Sequence, residues 1–480
     1  ESKDQTPEFG RNDGVHLTGL RLIQRVTVEP PTPLPQLTIT QISEHQLVAE
    51  WDEPHGTHGQ VLVLEFEQNN APTIEAKVGI TVTPIAVAPT GSDANAGTTS
   101  APLRTLTAAF AVASSHDLVT LPAGDYPASL ESVPRLADPT DAGSYPCNVP
   151  VDVALSGPSP TTKARIFDDL DAGGAPLVLC GGNKVSNVEV DGFDVGIAVV
   201  GNGDGFTTQE LDDIDITGAR NAGLYAQAFA SGHDVTVESC GAGAVVARAS
   251  GMQCGLRLSN AVFDDNLGCG IVIGPGCDVV LGGEVKRNGA ASDGGLPGVL
   301  LKNGIFDPQA AVDIEDNVGD GIDAFGPNPE LHSAGTISGN RNGIWYAADG
   351  GPSLQLMGTA ITGNREVGLR LSGPVRSVVW GNTTEIDPQP IAGNRVNVQV
   401  DPDFHGTVEF VRTIHFDPND GGAFPDADAS GHERRNWSLN GQLLIDDAGY
   451  TTGPFDWDAG AGEGPYNYRL LSDAGRIKFD

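Results

Sequence analysis

Apolar residues in the middle of this chain return in short alternating bursts, each opened by a glycine and preceded by an asparagine. The core of the unit is apolar-x-x-Asn-x-x-Gly-Ile/Leu. It reads Phe263–Asn266 then Gly270-Ile271, Ile314–Asn317 then Gly321-Ile322, Ile337–Asn340 then Gly343-Ile344, and Ile361–Asn364 then Gly368-Leu369. Looser copies carry Gly196-Ile197, Gly223-Leu224, Gly243-Ala244 and Gly298-Val299, and a last one falls near Val379-Trp380-Gly381-Asn382. From Asn266 through Asn288, Asn317 and Asn340 to Asn364 the steps are 22, 29, 23 and 24 residues. Such a period fits one coil of a stacked solenoid, in which each unit buries its apolar side only against its neighbours. The Asn tolerates a left-handed turn and can hydrogen-bond its equivalent one coil away. The Gly is read as freeing the next corner.

Alternation after each glycine separates the two sides of a strand. One inward column is Ile197, Leu224, Ala244, Ile271, Val299, Ile322, Ile344 and Leu369. A second, two residues on, is Val199, Ala226, Val246, Ile273, Leu301, Ala324, Tyr346 and Leu371. Between them Ala198, Tyr225, Val245, Val272, Leu300, Asp323, Trp345 and Arg370 face outward. This outward column is more apolar than water requires, so a loop, another domain, a second subunit or a ligand should cover it. The ligand reading stacks sugar rings on Tyr225 and Trp345 and bonds their hydroxyls with Asp323 and Arg370.

The expected class is therefore all-β: a right-handed parallel β-helix over residues 87–394. A flexible start, 1–14, precedes it, followed by a small β-sandwich-like region at 15–86. Residues 395–480 read as a C-terminal β cap or small domain, since a solenoid needs its last rung protected.

The stretch from Val87 holds a turn-rich loop, Pro89-Thr90-Gly91-Ser92-Asp93-Ala94-Asn95-Ala96-Gly97-Thr98. Ala101-Pro102-Leu103-Arg104-Thr105-Leu106 follows, then a helical spacing capped by Thr105 and a strand at Leu118–Leu121 stopped by Pro122 and Gly124. These motifs resemble a bacterial family of unknown function whose module opens β-helix proteins of the pectin-lyase-like superfamily. The resemblance implies the fold and no established activity.

There are 27 basic and 63 acidic residues, a formal net charge of −36, which makes nucleic acid a poor partner. No run of about 18 apolar residues is present, so no transmembrane segment is expected. A polar start at Glu1 reads as a mature secreted or cell-surface chain whose signal peptide has been removed, with a lipid anchor still possible. Six cysteines fit an oxidising compartment. Pairing of nearest neighbours along the chain gives Cys147–Cys180, Cys240–Cys254 and Cys269–Cys277, one of fifteen connectivities.

Candidate chemistry is sparse. The Asn-Thr-Asp and Gly-His-Gly motifs of pectin hydrolases in this superfamily are missing, although Asp212-Asp213 and Arg476-Ile477-Lys478 are present. Arg341 and Arg365 each follow a repeat Asn and should share one corner. Asp426-Ala427-Asp428-Ala429-Ser430-Gly431 matches the first half of a calcium loop, with Asp426, Asp428 and Ser430 as ligands, but Trp437 stands where a bidentate Glu belongs. His55 and His58 form a pair without a third ligand. The leading expectation is a non-catalytic extracellular protein for adhesion, glycan binding or surface assembly, with a polysaccharide or cell-surface partner. The alternatives are a polysaccharide lyase or glycoside hydrolase, and a homo-oligomeric filament or envelope subunit.

Overall fold

The computed structural model describes residues 84–131 and 148–373, short loop segments aside, with further strands between 21 and 79 and between 377 and 479. It is almost wholly β, a right-handed parallel solenoid of about 7 turns. The chain divides into two units, Glu1–Ser132 with Cys147–Ile166 and Leu179–Val188, and the remainder.

In the first unit Val61–Glu67 pairs antiparallel with Arg21–Leu22, Thr27–Glu29 and Ile74–Gly79, and Thr38–Ser43 forms a hairpin with Gln46–Glu50. Parallel pairing starts at Ile85–Ala86, which lies beside Leu118–Thr120, itself beside Ala154–Ser156. The expected helix is present at Leu106–Val112, with Thr105 Oγ1 accepting from Ala108 N at 3.0 Å and Leu106, Ala109 and Phe110 buried. Asp93 in the turn-rich loop accepts from Thr105 N at 3.0 Å, and Glu131 accepts from Leu106 N at 2.7 Å, so both carboxylates meet orphan amides of the first turn.

In the second unit the repeat glycines open the strands of one parallel sheet: Val195–Val199, Ala222–Ala226, Ala242–Val246, Ile271–Ile273, Val299–Lys302, Ile322–Gly326, Ile344–Ala348 and Val367–Ser372. Its register matches the expected columns residue for residue, from Ile197 opposite Leu224 to Ile344 opposite Leu369. Both inward columns are buried, at 0% exposure except Ala324 at 1%. The ladder continues, since Val396–Val400 pairs parallel with Val367–Ser372.

A second parallel sheet holds the strand before each turn, including Cys254–Asp264, Cys277–Lys286 and Ile305–Glu315. Next to it the asparagines stack. Asn266, Asn288, Asn317, Asn340 and Asn364 each donate from Nδ2 to the Oδ1 of the next Asn, over 2.8–3.2 Å, ending on Asn394. Each of those five also donates to a backbone carbonyl in the preceding coil. The expected Asn382 lies outside the described residues, and the last described rung is Asn394.

The glycine after each Asn has a different reason from the one expected. A Cβ on Gly321 would sit 2.6 Å from Gly343 O and 2.9 Å from Asn340 Nδ2. Room for the amide stack, rather than a corner conformation, excludes a side chain there.

The cysteine pairing also needs correction. Cys254 and Cys277 form a disulfide, while Cys240 and Cys269 are free and buried. Cys254 stands directly opposite Cys277 on adjacent coils, so stacking chose the partners and not proximity along the chain. Cys180 is also disulfide-bonded, while Cys147 lies outside the described residues.

Candidate functional site

The outward side of the glycine-opened sheet carries two columns in register. Leu300, Asp323, Trp345, Arg370 and Gln399 form one, and Lys302, Phe325, Ala347 and Ser372 the other. Successive coils lie ~4.8 Å apart, so the strip offers a new side chain about once per sugar ring. Val245, Val272, Leu300, Asp323, Trp345 and Arg370 are half-buried.

Trp345 is held on two sides. Its Nε1 donates to Ser372 Oγ at 3.2 Å, and the Arg370 guanidinium lies 4.6 Å from its ring centre. A guanidinium over an indole ring is an attractive cation–π contact and helps to fix the ring. Phe325, one coil away and two residues further along, is 41% exposed, with Lys302 Nζ 6.0 Å from its ring centre. Phe325 escaped the sequence reading, yet alternation two residues beyond Asp323 places it outward. Tyr225 does not join this group. It is 4% exposed, accepts from Gln227 Nε2 at 2.9 Å and sits several coils from Trp345, so its ring is not presented to a ligand.

Asp323 sits over a second carboxylate that sequence reasoning missed. Asp320 is fully buried, and its Oδ1 accepts from Arg341 Nε at 2.8 Å, Asn342 N at 3.2 Å and Asn342 Nδ2 at 2.9 Å. Its Oδ2 and the Oδ1 of Asp323 are both enclosed without a donor. Burial pushes the Asp323 carboxyl up to about 8, helped by its hydrogen bond to Asp320 and by that group's charge, while Arg341 and Arg370 oppose the shift. The sequence signal was an acid in Gly319-Asp320-Gly321, at a corner where the coils on either side carry Pro297 and Asn342.

The corner arginines are committed to the fold. Arg341 Nη1 donates to Gly294 O at 2.8 Å, and Arg365 Nη2 to the carbonyls of Asn317 and Val318, both at 2.8 Å. On the other sheet, His233 lies 2.9 Å from Asp234 and 3.3 Å from Asp212. Asp213, His233 and Asp234 bring three ligand atoms within 4.8 Å of one another, and the hydrogen bond that His233 donates to Asp234 raises the imidazole pKa. The calcium-loop residues Asp426, Asp428 and Ser430, and the pair His55 and His58, lie outside the described residues.

Residues 89–137 match the family described as a protein of unknown function (DUF1565). Similar solved structures include the pectate lyase Pel9A, at 15% identity and TM-score 0.33, covering 82% of this chain and 97% of the lyase. A tailspike protein of Escherichia coli O157:H7 bacteriophage CAB120 matches at 13% identity and TM-score 0.42, covering 92% of this chain and 59% of the tailspike. The catalytic domain of a GH87 α-1,3-glucanase matches at 9% identity and TM-score 0.35, covering 90% and 86%. A search of curated proteins finds no match. Among the described residues no helix is long and apolar enough to cross a membrane.

Proposed function

We propose that this chain binds polysaccharide along the strip of Asp323, Phe325, Trp345 and Arg370. The observation that carries this reading is a half-buried outward Trp345 with Arg370 on its ring, beside an exposed Phe325 one coil away. Flat apolar faces with polar groups at their edges suit the alternating CH faces and hydroxyls of a sugar chain. The disulfide Cys254–Cys277 supports a secreted or cell-surface setting, because such bonds persist in oxidising compartments. Cleavage is the second reading. It is favoured by Asp323, since a carboxyl that keeps its proton near neutrality is an acid able to protonate a glycosidic oxygen.

The test is a polysaccharide panel against the purified full chain, with Trp345→Ala and Phe325→Ala. Loss of at least tenfold in affinity in both variants is expected, with native thermal stability kept. Unchanged affinity would sink the strip. Release of reducing ends or unsaturated uronates by the native chain but not by Asp323→Asn would turn the reading to catalysis.

A further inference from the structure

Asp320 closes the corner of its coil and Asp323 starts the outward side of the following strand, with Gly321 and inward Ile322 between them. Two facing acceptors shut away from water cost free energy unless something donates to them. Neither nearby guanidinium fills that role. Arg341 Nε is spent on the other Asp320 oxygen, and Arg370 stands two coils above Asp323, stacked on Trp345. A metal ion is a poor substitute, since two arginines already place positive charge around the pair.

We propose that Asp320 and Asp323 share a single proton, and that this proton gates the strip: with it, Asp323 offers a neutral carboxyl to a sugar hydroxyl, and without it, two like charges shut the site. The gating half rests on the glycan reading above, while the shared proton does not. The other groups that face the pair leave it as the switching element. Arg341 and Arg370 act on Asp323 as fixed positive charges, and Glu366 acts on Arg341. Cys269, which feels Asp323 and Lys302, has its thiol pushed up to about 11 by burial and stays neutral through the relevant range.

The sign follows from linkage. The folded carboxyl holds its proton to about pH 8, whereas an unfolded Asp releases it near 3.9. The native state therefore binds more protons than the unfolded state between about pH 4 and 8. This group's contribution to stability falls as pH rises through that window and levels off above it. For a ligand that takes only the protonated form, affinity drops roughly tenfold per pH unit above 8.

The experiment uses the full chain and three readouts. Infrared titration of the protonated carboxyl band should show one group with a midpoint near 8 in the native chain and none in Asp323→Asn. The melting temperature should fall from pH 5 to 8 in the native chain more than in Asp323→Asn. Affinity for polygalacturonate and for dextran, one acidic and one neutral probe, should fall above pH 8 in the native chain, whereas Asp323→Asn should bind the same at pH 6 and 9.5. If Asp323→Asn does not fold, Asp320→Asn should lose the same high titration. A carboxyl band that disappears near pH 4 overturns the shared proton, whatever the sugar result. A band near 8 with pH-independent binding overturns the gate alone. A band near 8 with no binding of either probe at any pH overturns the gate on these ligands and tells against the strip, leaving the shared proton standing.

Discussion

Asn317 Nδ2 donates to Asn340 Oδ1 at 2.9 Å, across one coil of 23 residues, with neither side chain reached by solvent. Asn340 Oδ1 also accepts the backbone N–H of Asn317 at 3.0 Å, and its own Nδ2 reaches Ile314 O and Asn364 Oδ1. Asn340→Ala strands buried partners in the coils on both sides. The expected loss is about 2–4 kcal/mol, read from urea unfolding. A loss below about 0.5 kcal/mol would mean that water replaces the amide and the stack is not cohesive.

Two glycines separate crowding from backbone strain. A Cβ on Gly343 would lie 2.5 Å from Gly368 O and 2.9 Å from Asn364 Nδ2. Gly363 has φ +63 and open space around it. Gly343→Ala should therefore cost about 2–3 kcal/mol and Gly363→Ala only about 1–2, from the left-handed backbone alone. The reverse order in melting experiments would refute the packing account of the repeat glycine.

Cys240 and Cys269 are buried, and burial pushes both thiols up to about 11. At pH 8 they are neutral and enclosed, so a thiol reagent should label neither in the native chain. Unfolding without reductant should expose both, with Cys254 and Cys277 unlabelled in peptide maps. Labelling of Cys254 would contradict the inter-coil bond.

Ile344 and Trp345 are chain neighbours on opposite sides of one strand. Ile344 is fully buried and Trp345 half-buried on the outward face. Ile344→Ala should cost about 2–5 kcal/mol, while Trp345→Ala should cost less than about 1.5 and act on ligand binding instead. Greater destabilisation by the Trp345 change would place that ring in the core.

The inward columns were legible because two signals agreed. Alternation gave the side of the strand, and the glycine gave its phase, so a one-residue slip would have put every Ile in water. The Asn stack was legible for a similar reason, since a polar residue fixed in phase with apolar columns needs a partner inside. The disulfide was read wrongly although its key was present: 23 residues separate Cys254 from Cys277, the same step that separates repeat asparagines. The burial of Tyr225 was beyond the pattern, because alternation says that a side chain leaves the core and not what lies over it. Asp320 was hidden for another reason. It stands at a corner, where no periodicity applies, and only the fold brings it against Asp323.

The Asn stack has one further property. Each side-chain amide from Asn266 to Asn364 gives one Nδ2 hydrogen to the asparagine of the C-terminal coil and turns its oxygen toward the N-terminal one. Head-to-tail amides polarise one another and their dipoles add. Cys240 has no amide to extend the row and offers only its backbone N–H, to Asn266 Oδ1 at 3.0 Å. The interior thus carries a buried electrical axis with a defined origin, and coils inserted without an asparagine would break its current of aligned dipoles as well as its packing.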